Sequence, residues 1–303
     1  MSNDRSKKGT IALIVRPPGD EAKVKALQEV VRSIRAEGYT VRPRMTFEAG
    51  DAKRFAMSAA SAGVDLILAA GGDGTINEVV NGLARAKRIP PLGIVPFGTA
   101  NDFATGLRLP EDPAEAIRIA LHGRPLGVDI AQVNRRFFVN VSTGGFGAEA
   151  TEQAPVEVKR RLGPLAYLLS GAKKLVEFNP GKARFRADGK TVHDGDFVFF
   201  AVGNARLTGG GTRITPRAEF GDGKLDIVIV GGVSRMDFLA LLPDLRAGTH
   251  LESPDVLYLR AHRFEVQSPE PIAVNADGEA MRARRFRYRL LDRTLTILVP
   301  DEE

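Results

Sequence analysis

The chain contains no cysteine. That absence removes a disulfide framework, a thiolate nucleophile and any cysteine-based zinc site. Its histidines, His122, His193, His250 and His262, do not stand at ligand spacing, so zinc chemistry is not expected. No serine lies in a Gly-x-Ser-x-Gly elbow; Ser142, Ser170 and Ser234 all lack that setting, which leaves a hydrolase triad without support. No apolar run approaches the roughly 18 residues that span a bilayer. The short apolar stretch Ile11–Val15, after a polar start, is too brief for the core of a signal peptide. These absences lead to the expectation of a cytoplasmic, soluble protein, peripherally membrane-associated at most.

What is present is ample for folded cores. With 303 residues and 43% hydrophobic content, the chain is expected to form about two domains. The formal net charge of +6 suits anionic partners such as a nucleotide or an acidic membrane surface.

The most informative stretch runs from Val64 to Glu78. An apolar segment of strand length breaks at Gly71-Gly72-Asp73-Gly74 and continues as a helix, with Ile76, Val79, Val80 and Leu83 on one face. A buried strand, a glycine turn and a helix N-terminus make a phosphate site, because the unpaired N–H groups of the first turn point at the anion. The Lys-Ser/Thr of a Walker A loop is missing, and Asn77 stands where a dinucleotide fingerprint has its third glycine. Asp73 within the turn can serve a metal-bound phosphate or orient the loop. The alternative is an ordinary strand-to-helix turn with Asp or Thr as cap. A second loop repeats the logic: Leu92–Val95 runs into Pro96-Phe97-Gly98-Thr99-Ala100-Asn101-Asp102-Phe103-Ala104.

Before these loops come a strand at Thr10–Val15, a helix at Glu21–Glu37, a strand at Val41–Thr46 and a helix at Asp51–Ala62. Alternation at this pace predicts a doubly wound α/β domain with ligands at the carboxyl ends of its strands. From about Asp129 short strand patterns and turn signals take over, among them Asp188-Gly189, Asp194-Gly195, Gly221-Asp222-Gly223 and Asp277-Gly278. Helices are expected at Pro155–Phe178 and Ser234–Gly248, and separate short strands at Phe264–Val266, Ile272–Ala276, Phe286–Leu291 and Thr294–Val299. The expectation is an α/β protein with a nucleotide-binding domain over 1–130 and a mainly antiparallel β-sandwich domain over 131–291. The tail from about 292 to 303 is expected to return to the first domain.

The two glycine loops resemble the signatures of the diacylglycerol-kinase catalytic-domain family, and within it the bacterial YegS-like lipid kinases. The likeness continues through Thr46–Ala52, Asp129–Asn134, Thr143–Gly147, Gly209–Gly211 and Asp277-Gly278-Glu279. The first signature is shared with NAD kinases; the Gly-Thr-Ala-Asn-Asp run favours lipid kinases. The resemblance implies a two-domain fold, nucleotide on the N-terminal domain and lipid entering between the domains. It implies ATP contacts from Thr46, Gly71, Gly72, Asp73, Gly74, Thr75, Ile76, Asn77 and Thr99. Family members often carry an Asn-Pro-x-Ser-Gly turn where this chain has Arg16-Pro17-Pro18-Gly19, so nucleotide contact from that turn is not expected.

Phosphoryl transfer relies on positioning and on charge spread over a cation, so Mg²⁺ is expected with the nucleotide, with Ca²⁺ as an alternative metal. By resemblance a separate metal site is expected at the Asp222 carboxylate and the main-chain oxygens of Glu219 and Lys224; a plain turn is the competing reading. A lipid hydroxyl needs a proton acceptor, and the resemblance places it in Asp277-Gly278-Glu279, with Glu279 ahead as base and Asp277 positioning substrate or metal. The expected function is transfer of the ATP γ-phosphate to a hydroxyl of a glycerolipid of the phosphatidylglycerol or diacylglycerol kind. A soluble NAD-type kinase and a non-catalytic nucleotide- or lipid-binding protein are the alternatives. Arg285, Arg287 and Arg289 share a strand face opposite Phe286, Tyr288 and Leu290, read as a solvated face or an anionic-lipid contact. No recognised nucleic-acid module is present, and nothing in the pattern specifies an oligomer.

Overall fold

The computed structural model describes residues 8–17, 21–146 and 180–301. The helix expected at 155–178 lies outside the described residues, as do Pro18 and Gly19. The chain divides into two compact units, Met1–Val128 with Thr294–Glu303, and Asp129–Arg293.

In the first unit, β1 (Gly9–Val15), β2 (Tyr39–Met45), β3 (Leu66–Gly71) and β4 (Leu92–Pro96) are parallel, in the order β2-β1-β3-β4. The end of the last strand, β13 (Glu279–Val299), joins β4 in parallel through Ile297 and Leu92. Helices α1 (Glu21–Ala36), α2 (Asp51–Ser61), α3 (Asp73–Leu83), α4 (Asp102–Gly106) and α5 (Pro113–His122) fill the crossovers. Ile11, Leu13 and Val15 of β1 share a core with Val30 and Ile34 of α1 and Ala116, Ile117 and Ala120 of α5. Ala12 and Ile14, which point to the other face, are buried too, as expected when helices cover both faces of a parallel sheet. The strand order reverses between β1 and β3, so the ligand crevice of such a sheet falls beside the carboxyl ends of these strands.

The second unit is built from antiparallel strands. Strands β9 (Lys190–Gly203) and β12 (Arg263–Ala276) each pair with β8 (Gly181–Ala187) over one half and with β7 (Val141–Gly145) over the other. Beyond β9 lie β10 (Leu225–Gly231) and β11 (Val256–Ala261); β12 also pairs with β13, and β5 (Arg124–Val133) pairs with β6 (Arg136–Phe138). Period-two alternation makes two cores. Ile227 and Ile229 face an aromatic cluster with Phe185, Phe197, Phe200, Phe264 and Tyr288. Val228 and Val230 face the other side, where α6 (Arg235–Ala247) supplies Phe238, Leu241, Leu242 and Leu245. Helix α6 is capped by the Ser234 side chain, which accepts the Asp237 N–H, and ends at Gly248 in the left-handed conformation.

The α/β class with a β-sandwich-like C-terminal unit agrees with the sequence reading. The details differ in three places. The two expected strands at Phe264–Val266 and Ile272–Ala276 are one strand with a register shift between Gln267 and Ile272, where Pro269 and Pro271 cannot donate to the ladder. Phe286–Leu291 and Thr294–Val299 are likewise parts of β13. Asp194-Gly195 is no turn: β9 passes through it, paired with β8. Asp188-Gly189 and Asp277-Gly278 are true hairpin tips, with both residues of each pair at positive φ.

Candidate active site

The expected nucleotide contacts follow the carboxyl ends of neighbouring parallel strands: Thr46 after β2, Gly71–Asn77 at the end of β3 and into α3, and Thr99 after β4. Thr99 is exposed, and the Thr46 N–H donates to Val15 O at 2.8 Å. Ile76 is fully buried, so its side chain belongs to the core and only its main chain remains for a ligand. Asn77 is 6% exposed, and its side-chain oxygen accepts from Asn81 Nδ2 at 3.1 Å.

The glycines of the two loops divide by what surrounds them. A Cβ on Gly71 would stand 2.5 Å from Thr75 Oγ1, and one on Gly72 2.9 Å from Gly98 Cα. The reciprocal atom on Gly98 would stand 2.5 Å from Gly72 Cα. Gly72 and Gly98 let the two loops touch backbone to backbone, while Gly71 leaves room for the Thr75 side chain. Gly74 differs. It is exposed, sits in the first turn of α3, and has nothing within 4 Å of its would-be Cβ. No side chain caps α3.

The acids of the first motif hold its neighbours. The Asp73 carboxylate accepts the N–H groups of Asp102 at 3.2 Å and Phe103 at 3.1 Å, so it caps the start of α4. Burial pushes the Asp73 carboxyl up from its ordinary value, and these donors only partly offset that. The Glu78 carboxylate accepts from Gly50 N at 2.9 Å and Ala52 N at 3.1 Å, and so anchors the start of α2. Asp51, 2% exposed, accepts from Phe47 N at 2.9 Å and Glu48 N at 3.2 Å and pairs with Arg54 at 2.7 Å. The Phe47 and Glu48 amides, helped by Arg54, hold its carboxyl below the ordinary value. The glycine motif thus gathers the first turns of α2, α3 and α4. Sequence reasoning missed this capping role of Glu78, although the residue stands in the motif itself.

In the second unit Asp277 and Glu279 share a hairpin tip but have different surroundings. Asp277 accepts three backbone N–H groups, from Val139 at 2.8 Å, Asn140 at 3.1 Å and Val141 at 3.2 Å. Glu279 is exposed and ion-paired with Arg136. Asn275 Oδ1 accepts the Gly278 N–H at 2.8 Å. Among the described residues, Asn275 Nδ2 and Asn140 Oδ1 are buried without a hydrogen-bond partner. A donor and an acceptor left unmet beside a carboxylate turn suit a bound hydroxyl or water.

At the candidate metal turn, Asp222 pairs with Arg260, and Asp222 Oδ1 accepts the Lys224 N–H at 2.9 Å. Glu219 reaches Arg206 at 3.9 Å. Asp226, wholly buried, accepts the Tyr258 hydroxyl, while its Oδ2 accepts no hydrogen bond and lies 3.6 Å from Arg260 Nε. Burial pushes both the Asp226 carboxyl and the Tyr258 hydroxyl up. Oxygen donors of this kind fit a hard cation, which would compete with the Arg260 guanidinium. No group of three His, Cys, Asp or Glu side chains able to hold a metal occurs among the described residues.

The alternation of β13 is as expected, with Phe286 and Tyr288 buried and Arg285, Arg287 and Arg289 exposed. Their charge is partly met: Arg285 and Arg287 share Glu265, and Arg289 donates to Gln132 Oε1 at 2.9 Å. No helix among the described residues is long and apolar enough to cross a membrane.

Comparison with known proteins matches this architecture to a class of enzymes. Residues 10–133 match the diacylglycerol kinase catalytic domain, and residues 140–299 match the YegS C-terminal NAD kinase beta sandwich-like domain. The class is that of phosphotransferases with an alcohol group as acceptor. The chain is 36% identical to "Probable lipid kinase YegS" of Escherichia coli O17:K52:H18 over 280 residues, covering 91% of this chain and 92% of that one. The Shigella flexneri protein of the same name gives the same values. The chain belongs to the diacylglycerol-kinase family, in its YegS-like lipid kinase group, and is a lipid kinase. Family membership implies ATP and usually a divalent cation. A crystal structure of a candidate diacylglycerol kinase from Bacillus anthracis str. Sterne superposes with a TM-score of 0.83 at 28% identity, over 99% of this chain and 98% of that one. Yeast NADH kinase shares the fold alone, with a TM-score of 0.54 at 11% identity over 97% of this chain and 84% of that one.

Proposed function

We propose that this kinase transfers the γ-phosphate of ATP, carried with Mg²⁺ or Ca²⁺, to the hydroxyl of a glycerolipid of the phosphatidylglycerol or diacylglycerol type. The observation that carries the nucleotide half is Gly74. Its neighbouring glycines are explained by packing, whereas Gly74 lies in the first turn of an uncapped helix with open space before it. An anion arriving there meets main-chain N–H groups and the positive end of α3. Thr46, Gly71–Asn77 and Thr99 are assigned to the nucleotide, the first unit to ATP and the second to the lipid.

For the acceptor half, Glu279 is assigned as the base that takes the proton of the lipid hydroxyl during transfer. Asp277, held by three amides, is assigned to shaping the turn and positioning substrate through it. The buried, unpartnered Asn140 Oδ1 and Asn275 Nδ2 support a polar ligand at this turn. A second cation at Asp222, with the main-chain oxygens of Glu219 and Lys224, is part of the proposal, and Arg260 would have to release the carboxylate to admit it. The enzyme is assigned to the cytoplasmic side, meeting the membrane peripherally.

Radiolabelled ATP with Mg²⁺ and a panel of diacylglycerol, phosphatidylglycerol and a sphingoid base in mixed micelles, beside soluble NAD, tests the reading. Label is expected in one of the two glycerolipids. Label in NAD or the sphingoid base, with none in either glycerolipid, overturns it.

A further inference from the structure

A basic concavity of the second unit is not used by the chemistry above. A cavity of about 760 Å³ is lined by Arg135, Arg186, Arg263, Arg287 and Arg289, with Glu265 as the one carboxylate in its wall. Five guanidinium groups thus stand around one carboxylate. They converge from four separate segments: the β5–β6 turn, the β8–β9 hairpin, β12 and β13.

Internal pairing leaves the charge of Arg186, Arg263 and Arg289 uncancelled among the described residues. Glu265 is already shared, accepting from Arg285 at 2.9 Å and from Arg287 at 3.3 Å. Arg289 bonds a neutral amide at Gln132, and Arg186 donates to the Gly189 carbonyl at 2.7 Å. Among the described residues neither Arg186 nor Arg263 has a carboxylate within ion-pair distance. The nearby Asp188 carboxylate is turned to the backbone, accepting the N–H groups of His262 at 3.1 Å and Arg263 at 2.8 Å. Beneath the arginines Phe264 and Tyr288 are 1% and 2% exposed, a packed floor that fixes the strands carrying them.

Guanidinium forks match phosphate oxygens in geometry, and several converging on one concavity favour a ligand with more than one negative charge. The cavity extends away from the proposed base, although its wall at Arg135 adjoins Arg136, the ion-pair partner of Glu279. Arg287 lies eight residues beyond Glu279 on the same strand, about 26 Å of extended chain.

We propose that this arginine-lined cavity is a separate binding site for a compact phosphate-bearing anion of charge −2 or more negative, either a phosphomonoester lipid headgroup or a free phosphate compound. Binding here does not depend on the assignment of the catalytic turn, so its test needs no turnover.

The test compares the whole protein with Arg186→Gln/Arg263→Gln and with Arg282→Gln/Arg284→Gln, which removes the same charge from β13 outside the cavity. Thermal unfolding first checks that each is folded; the positions changed in the cavity variant are exposed. Calorimetry with inorganic pyrophosphate, and sedimentation with phosphatidylcholine vesicles with and without phosphatidic acid, are then read at equal salt. The cavity variant should bind about tenfold or more weakly, or about 1.4 kcal/mol, while the control variant keeps wild-type affinity. A loss confined to phosphatidic acid vesicles identifies the lipid source, and one seen with pyrophosphate the free phosphate. Equal weakening by both variants, or no binding of either probe by the wild type, overturns the proposal. The single Arg186→Gln variant reads the same contrast at smaller size if the double variant does not fold.

Discussion

Two short acidic motifs, Gly71–Glu78 in the first unit and Asp277–Glu279 in the second, use their carboxylates differently. In the first, both acids are occupied by main chain: Asp73 caps α4 and Glu78 caps α2. In the second, only Asp277 is so occupied, and Glu279 stands exposed beside Arg136. A carboxylate bound to amide N–H groups holds a loop in shape. One that meets only a flexible guanidinium can turn to a substrate. The contrast separates acids that hold backbone from an exposed acid, a division that residue type alone does not make.

The largest expected effect is at the exposed acid. Glu279→Gln should lower lipid phosphorylation by about a hundredfold or more. Its unfolding free energy should change by less than about 0.5 kcal/mol, since the group is a surface ion-pair partner. Steady-state turnover with saturating ATP, beside a denaturant titration, checks both; near wild-type turnover would remove the distinction from Asp277. Asp277→Asn should show the opposite balance. It loses charge-assisted bonds to three amides and should cost about 3 kcal/mol of stability, read from the same titration.

Gly74→Val sharpens the first motif. Open space around this position lets the protein fold with a stability change of about 1 kcal/mol or less. ATP affinity should fall by about tenfold or more, because the new side chain fills the approach to the helix start. Calorimetry finding unchanged affinity in folded protein would displace the nucleotide from this loop. The physical ground for this loss is steric alone: α3 places Gly74 in ordinary helical backbone, so a strained turn is not the cause.

The smallest effect is a pH dependence. Asp51 has its carboxyl lowered from 3.8, chiefly by the Phe47 and Glu48 amides, so its stabilisation is full above 3.8. It is lost as pH falls below 3.8 through the depressed folded value, because the unfolded state takes up the proton first. Thermal unfolding of wild type and Asp51→Asn should therefore differ by a constant amount from pH 7 down to about 4 and converge below it. A gap that persists unchanged into acid would show that the capping charge is not its source.

Much of this was legible along the chain because local pattern decides it. Buried parallel strands read as continuous apolar runs, as in Ile11–Val15 and Leu66–Ala70, and the helix faces followed the 3.6-residue period. Ser234 and Gly248 marked the ends of α6 because capping depends on neighbouring residues only. The two glycine loops and the Asp-Gly-Glu tip were likewise visible as motifs. Partners distant in sequence were not. Asp73 meets Phe103 thirty residues on, Asp277 meets Val139 across 138 residues, and Glu279 meets Arg136 across 143. Nor could the motif tell that Gly72 faces Gly98 while Gly74 faces open space, since that depends on how β3 and β4 lie side by side. The five arginines around Phe264 and Tyr288 come from four segments whose convergence is set by strand register. Residue types and spacing specify which chemistry is on offer; the pairing of distant backbone decides which groups are satisfied, and so which remain free to act.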